Sequence, residues 1–154
     1  MKTLLAIAVF LLLVAPGFGQ NVVVPSYAFG KRYSSEIPNE TLEKSPSWNM
    51  QSDSPPLAPG KAIRLANVLR AKLVKDSARF KWRCVSATLD FSLAWLCADD
   101  AVMRDKCWWQ IRYEAHGPEG GEIGEIYENH HLIIIVLMDG TVIEPKVSDF
   151  VIGS

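Results

Sequence analysis

Three cysteines and three histidines are the residues in this chain best able to do chemistry. Cys97 and Cys107 flank an expected hairpin loop between two segments of alternating apolar residues. Opposed positions of a hairpin can satisfy disulfide geometry, and closing so short a loop stabilises by roughly 2–3 kcal/mol. A Cys97–Cys107 bridge is therefore expected. Cys84 lies thirteen residues before Cys97, roughly 40 Å away along one extended strand. It is left as a buried free thiol, with no neighbour in sequence to lower its pKa.

His116, His130 and His131, with Glu114, are the candidate metal ligands. A hairpin joining the two segments that carry them would draw them together, and metal ligands must converge at about 2 Å from the ion. Glu119, Glu122, Glu125 and Glu128 could add oxygen donors. These are loop residues, where polar side chains belong, and a solvated acidic loop is the simpler reading, so no metal and no cofactor is expected. Catalytic signatures are missing: there is no Gly-x-Ser-x-Gly, no His-Glu-x-x-His and no phosphate loop. Gly117, Gly120, Gly121 and Gly124 sit among glutamates, the wrong charge for a phosphate cradle.

The elements that must position these residues follow from periodicity. Pro59 suits the first turn of a helix, where its missing N–H would be unpaired anyway. Ala58, Ala62, Leu65, Ala66, Leu69 and Leu73 then recur at three- and four-residue spacing, predicting one amphipathic helix that ends near Asp76. Beyond it the period becomes two. Val85, Ala87, Leu89, Phe91, Leu93 and Trp95 alternate with polar residues, as do Cys107, Trp109, Ile111, Tyr113 and Ala115. His131 to Met138 is nearly all apolar, and Asp139-Gly140 before Thr141 to Glu144 signals a two-residue type I′ hairpin. The expected fold is α+β: one amphipathic helix packed on a four-stranded antiparallel meander. Pairing Cys97 with Cys107 sets Trp95 on Trp109, Leu93 on Ile111 and Phe91 on Tyr113, all apolar pairs of the kind that stabilise sheets.

One helix covers one face of a sheet. In this register Trp82, Cys84, Trp108, Ile133, Ile135, Leu137 and Val142 point to the other face. Trp82, Trp108, Ile133, Ile135 and Leu137 are the candidate interaction surface, because large exposed apolar patches mark binding sites. Either Val22 to Phe29 folds back over this face, or a protein partner, a peptide or a second copy of the chain does. Most of the five tryptophans fit core or sheet packing better than a ligand platform.

The N-terminus carries an export signature. Lys2 precedes an unbroken apolar run from Leu4 to Val14, followed by the breaker Ala15-Pro16-Gly17-Phe18-Gly19. Cleavage after Gly19 places small residues where a signal peptidase needs them, and the run is too short to span a bilayer. Residues 1–19 are thus expected to be a signal peptide. Residues 20–56, rich in Ser, Pro, Asn and Glu, read as a disordered or extended segment, and residues 57–154 as the folded domain. Within the middle segment Asn39-Glu40-Thr41 matches a glycosylation sequon. A net charge of −1 without basic clusters argues against nucleic acid.

The segment from Ser54 to Ala62, the helix and strands after it, and the run from Val136 to Pro145 resemble small secreted bacterial proteins of uncharacterised function. Their helix-plus-sheet layout is similar to PepSY-like and cystatin-like domains. The resemblance covers about Leu57 to Val147 and rests on structural motifs. It implies action on secreted proteins and assigns no site residue. Together these features predict an exported, secreted or periplasmic, non-enzymatic protein- or peptide-interaction module. The alternative is a small extracytoplasmic hydrolase or metal-dependent enzyme, which would need the histidine loops to converge with carboxylates in a pocket.

Overall fold

In the computed structural model, which describes residues 21–49, 51, 54–91, 103, 105–117 and 130–150, the helix begins at Pro59 as its sequence requires. Helix α2 (Pro59–Leu73) buries Ala62 and Ala66 completely, with Leu65, Leu69 and Leu73 partly buried along the same stripe. Two alanines at the contact let the helix lie close on the sheet. It ends three residues earlier than the stripe suggested: Val74 turns extended and is itself buried, and the Asp76 carboxylate accepts the backbone N–H of Trp82 at 2.9 Å.

The sheet has seven strands, not four. Strands β1 (Val22–Ala28), β2 (Lys31–Ile37), β3 (Lys81–Phe91), β4 (Cys107–His116), β5 (His131–Leu137), β6 (Val142–Ile143) and β7 (Lys146–Asp149) all pair antiparallel. The order is β3-β4-β5-β1-β2-β7, with β6 on β5. A second helix, α1 (Asn39–Lys44), follows β2. The α+β class and the antiparallel sheet hold; the four-stranded, one-helix layout does not.

Residues read as a disordered or extended segment supply the missing elements. Val22 to Ile37 folds as a hairpin whose two-residue turn is Phe29-Gly30, both at positive φ (49° and 73°). Mirror-image turns of this kind match the twist of the strands. Phenylalanine is an uncommon residue there, and tertiary contacts hold it. Its N–H donates to His130 Nδ1 at 3.1 Å, and its ring packs on His130 and Phe80 with centroids 4.2 and 4.6 Å away.

The hairpin joins β5 at one pair, Tyr27 opposite His131, after which β6 takes that edge of β5 at Ile135 and Val136. Consequently one side of the hairpin serves two cores. Ala28 and Tyr33 belong to the core on the α2 side, while Val22, Val24 and Ile37 reach the opposite side of the sheet. Between them sit the small buried residues Ser26 and Ser35.

Strand β3 differs from expectation in both position and register. Phe91 pairs with Cys107, Leu89 with Trp109 and Ala87 with Ile111, a displacement of six residues from the predicted match. An even slip keeps every side chain on its face, so alternation alone cannot distinguish the two registers. A bulge between Cys84 and Ser86 then reverses the phase, leaving Val85 exposed and returning Trp82 to the helix side with Leu89. The Asp139-Gly140 turn also departs from type I′. Leu137 pairs with Thr141 around a three-residue loop in which Gly140 has φ 93°, and the Asp139 carboxylate accepts from the Thr141 N–H and hydroxyl.

Candidate interaction site on the open half of the sheet

The residues expected to form an exposed apolar surface are interior. Trp82 belongs to the core under α2, placed there by the bulge. Trp108, Ile135 and Leu137 do face the opposite side but are at most 1% exposed. Ile37, Leu42 of α1, Met103 and Ile143 pack over them, with Val22 and Val24 beside. The N-terminal segment thus contributes to the cover, as strand and helix. Of the five candidates Ile133 alone stays partly exposed.

A buried lysine clamps this cover, and sequence reasoning missed it. Lys106, 5% exposed, donates its ammonium to the carbonyl oxygens of Glu43 and Ser45, at the end of α1 where helical carbonyls lack partners. The Ser45 hydroxyl in turn accepts the N–H of Met138 at 3.2 Å. Nothing in the pattern around Lys106 signals burial, since an isolated lysine between turns ordinarily faces water.

Past the cover the same face becomes polar. Outward-facing residues of three adjacent strands are Ser86, Thr88 and Asp90 on β3, Gln110 and Arg112 on β4, and Ile133 on β5. They line a groove of about 360 Å³. In register, Arg112 lies between Ser86 and Ile133, and Gln110 between Thr88 and Ile135. Arg112 Nε donates to Glu114 Oε1 at 2.9 Å, and both side chains keep contact with water. Asp90 accepts the Phe91 N–H at 2.9 Å on one oxygen and the Gln110 amide on the other. Strand β3 borders the groove, and among the described residues it has one strand neighbour, β4.

The histidines do not assemble. Glu114 is opposite His131, and His116 Nε2 lies 4.0 Å from Glu114 Oε2. His130 points to the other face, against Phe29, where burial lowers its pKa. The four candidate ligands are therefore divided by the sheet, because consecutive strand residues alternate sides. Among the described residues no three of His, Cys, Asp and Glu are grouped to hold a metal ion. Glu119, Glu122, Glu125 and Glu128 lie outside the described residues.

The cysteines fall differently from expectation too. Cys84 is exposed, not buried, and sits next to the bulge opposite Tyr113. Its thiol pKa is raised by partial burial, against a smaller lowering by the Ser86 backbone. Cys107 is fully buried and free, and desolvation, with Asp105 adding to it, pushes its thiol up to about 11. Neither has the depressed pKa of a nucleophile. Cys97 lies outside the described residues; the register that set it opposite Cys107 is replaced by Phe91 at that position.

Fold and site together define a small α+β domain with a polar groove beside a sheet edge. No family model, curated protein or solved structure matches the chain.

Proposed function

We propose that this protein is an exported, non-enzymatic module that binds a protein or peptide partner at the groove and the neighbouring edge of β3. The observation that carries the reading is the change of character along one sheet face. Its apolar end is covered by the chain itself, and its polar end is left open next to an eleven-residue strand with a single neighbour among the described residues. An unpaired strand offers a row of backbone donors and acceptors to an extended segment, and alternate side chains of that segment would enter the groove. Binding by strand addition needs no nucleophile or metal, in keeping with the raised thiol pKa values and the divided histidines.

Panning an extended-peptide library on immobilised full-length protein tests the reading. Peptides should enrich on the wild-type chain and lose binding when Thr88→Trp fills the groove. Equal enrichment on both proteins would refute it. Export is tested separately by N-terminal mass analysis: the exported chain should start at or near Gln20, and an intact Met1 in that fraction would overturn the signal peptide.

A further inference from the structure

Resting on that reading, we propose that the groove selects an acidic side chain of an extended peptide, seated on the Arg112 guanidinium. The groove holds two charges whose hydrogen-bonding capacity differs. Both Asp90 oxygens already accept, from Phe91 N–H and from the Gln110 amide. Arg112 uses Nε alone, on Glu114, and its side chain is 41% exposed. Its two terminal nitrogens have no partner among the described residues.

What the groove still offers is therefore donors in a fork that matches a carboxylate in bidentate fashion. The Ser86 hydroxyl, opposite Arg112 in register, and that of Thr88 two positions on can add to it. Ile133 on the far side supplies an apolar wall for the methylenes of a glutamate. Glu114 fixes the guanidinium through Nε, so the fork is oriented before a ligand arrives. Lys81 and Arg83 lie farther along β3, and the strand's one carboxylate, Asp90, has both oxygens engaged.

The source of the carboxylate is a peptide strand because the groove runs along β3. A segment paired with that edge would present every second side chain to the outer face. A free small carboxylate would use the fork and ignore the edge.

Fluorescence polarisation with the full chain and three labelled ten-residue peptides tests this. The peptides are matched β-forming sequences carrying Glu, Gln or Lys at the alternate positions. The Glu peptide should bind about tenfold tighter than the Gln peptide, the scale of one charge-assisted contact. Arg112→Gln should abolish that preference without changing the near-ultraviolet circular dichroism; Arg112→Lys, which keeps charge without the fork, should retain part of it. Equal binding of Glu and Gln peptides, or preference for Lys, overturns the acidic subsite and leaves the peptide-binding reading standing. No binding of any peptide overturns both. Displacement by succinate at concentrations comparable to the Glu peptide also overturns the proposal, since it marks a small-molecule site.

Discussion

On one face of the sheet a fifteen-residue helix lays two alanines over Trp109, Ile111, Tyr113 and the inward side of β5. On the other, a six-residue helix, the far end of a hairpin and Met103 cover only Trp108, Ile135 and Leu137. The first face is apolar along the length of β4, at Cys107, Trp109, Ile111, Tyr113 and Ala115. The second runs from Trp108 to Gln110, Arg112 and Glu114, losing its apolar character where the cover stops. Along β4 cover and composition change together, so the open end is polar surface by composition and not a failure of packing, with Ile133 of β5 the apolar residue left partly exposed there. The same contrast extends to tryptophan: Trp109 donates its indole N–H to the Leu57 carbonyl at 2.9 Å, while the Trp108 N–H is buried with no partner among the described residues.

The strongest test of this contrast is to remove the aromatic from the partly covered face. Trp108→Ala should destabilise by about 3–5 kcal/mol, the usual range for a buried tryptophan, read from urea unfolding. A much smaller loss would mean that the short cover contributes little. Trp108→Phe and Trp109→Phe sharpen the comparison. The second loses a bond and should be worse by roughly 0.5–1.5 kcal/mol beyond its volume change.

Next in size is the clamp on α1. Lys106→Met keeps the apolar stem and removes the ammonium, leaving two carbonyls at the helix end unsatisfied, at a cost of about 1–3 kcal/mol. Hydrogen exchange should locate the effect. Amides of residues 39–45 should exchange faster while those of α2 stay protected. Uniform loss of protection across both helices would mean that the two faces unfold as one unit.

How much of this was legible beforehand varies with the kind of signal. The α2 stripe, the alternation in β4 and the apolar run of β5 were readable because burial on one side imposes a period. The assignment of Trp108, Ile135 and Leu137 to a common second face was sound for the same reason. Which of the two covers, the N-terminal segment or a partner, meets them is not legible because Val22 to Ile37 hides its hairpin: three consecutive valines show no alternation, and Phe29 is not a residue that announces a positive-φ turn. The β3 register failed since a six-residue slip preserves every apolar pairing, and the Trp82 assignment failed because a bulge has no compositional mark here. Of the groove, the alternation of Ser86, Thr88 and Asp90 with Gln110 and Arg112 was visible. That these residues form an open site depended on where the cover ends, which only tertiary structure decides.

A third effect concerns the junction where the hairpin meets both faces. His130 accepts the Phe29 N–H through Nδ1, and burial holds its pKa below the ordinary histidine value. The folded state therefore favours neutral imidazole, and the unfolded chain binds the proton more readily. Stability contributed here is present above the unfolded pKa, near 6.5, and is lost as pH falls toward the lower folded value. Urea melts from pH 7.5 down to 5 should show wild type losing more stability than His130→Phe, which cannot titrate. Parallel pH curves for the two proteins would remove the junction from the acid response.

The smallest expected stability change belongs to the open half, and its smallness is the point. Arg112 lies on the surface, and its pair with Glu114 retains solvent contact on both sides. Exposed ion pairs contribute about 0–1 kcal/mol because water and salt screen them and ordering two long side chains opposes them. Arg112→Gln should accordingly change unfolding free energy by no more than about 0.5 kcal/mol, with no shift in the denaturant slope. Trp108, four residues earlier on the same strand and face, is expected to cost several times more. If Arg112→Gln instead destabilises as strongly as a core change, the guanidinium is a structural strut and the groove belongs to the packed part of the molecule. A near-neutral Arg112→Gln shows that folding does not depend on the guanidinium, which leaves its terminal nitrogens for a ligand as the acidic-peptide subsite requires.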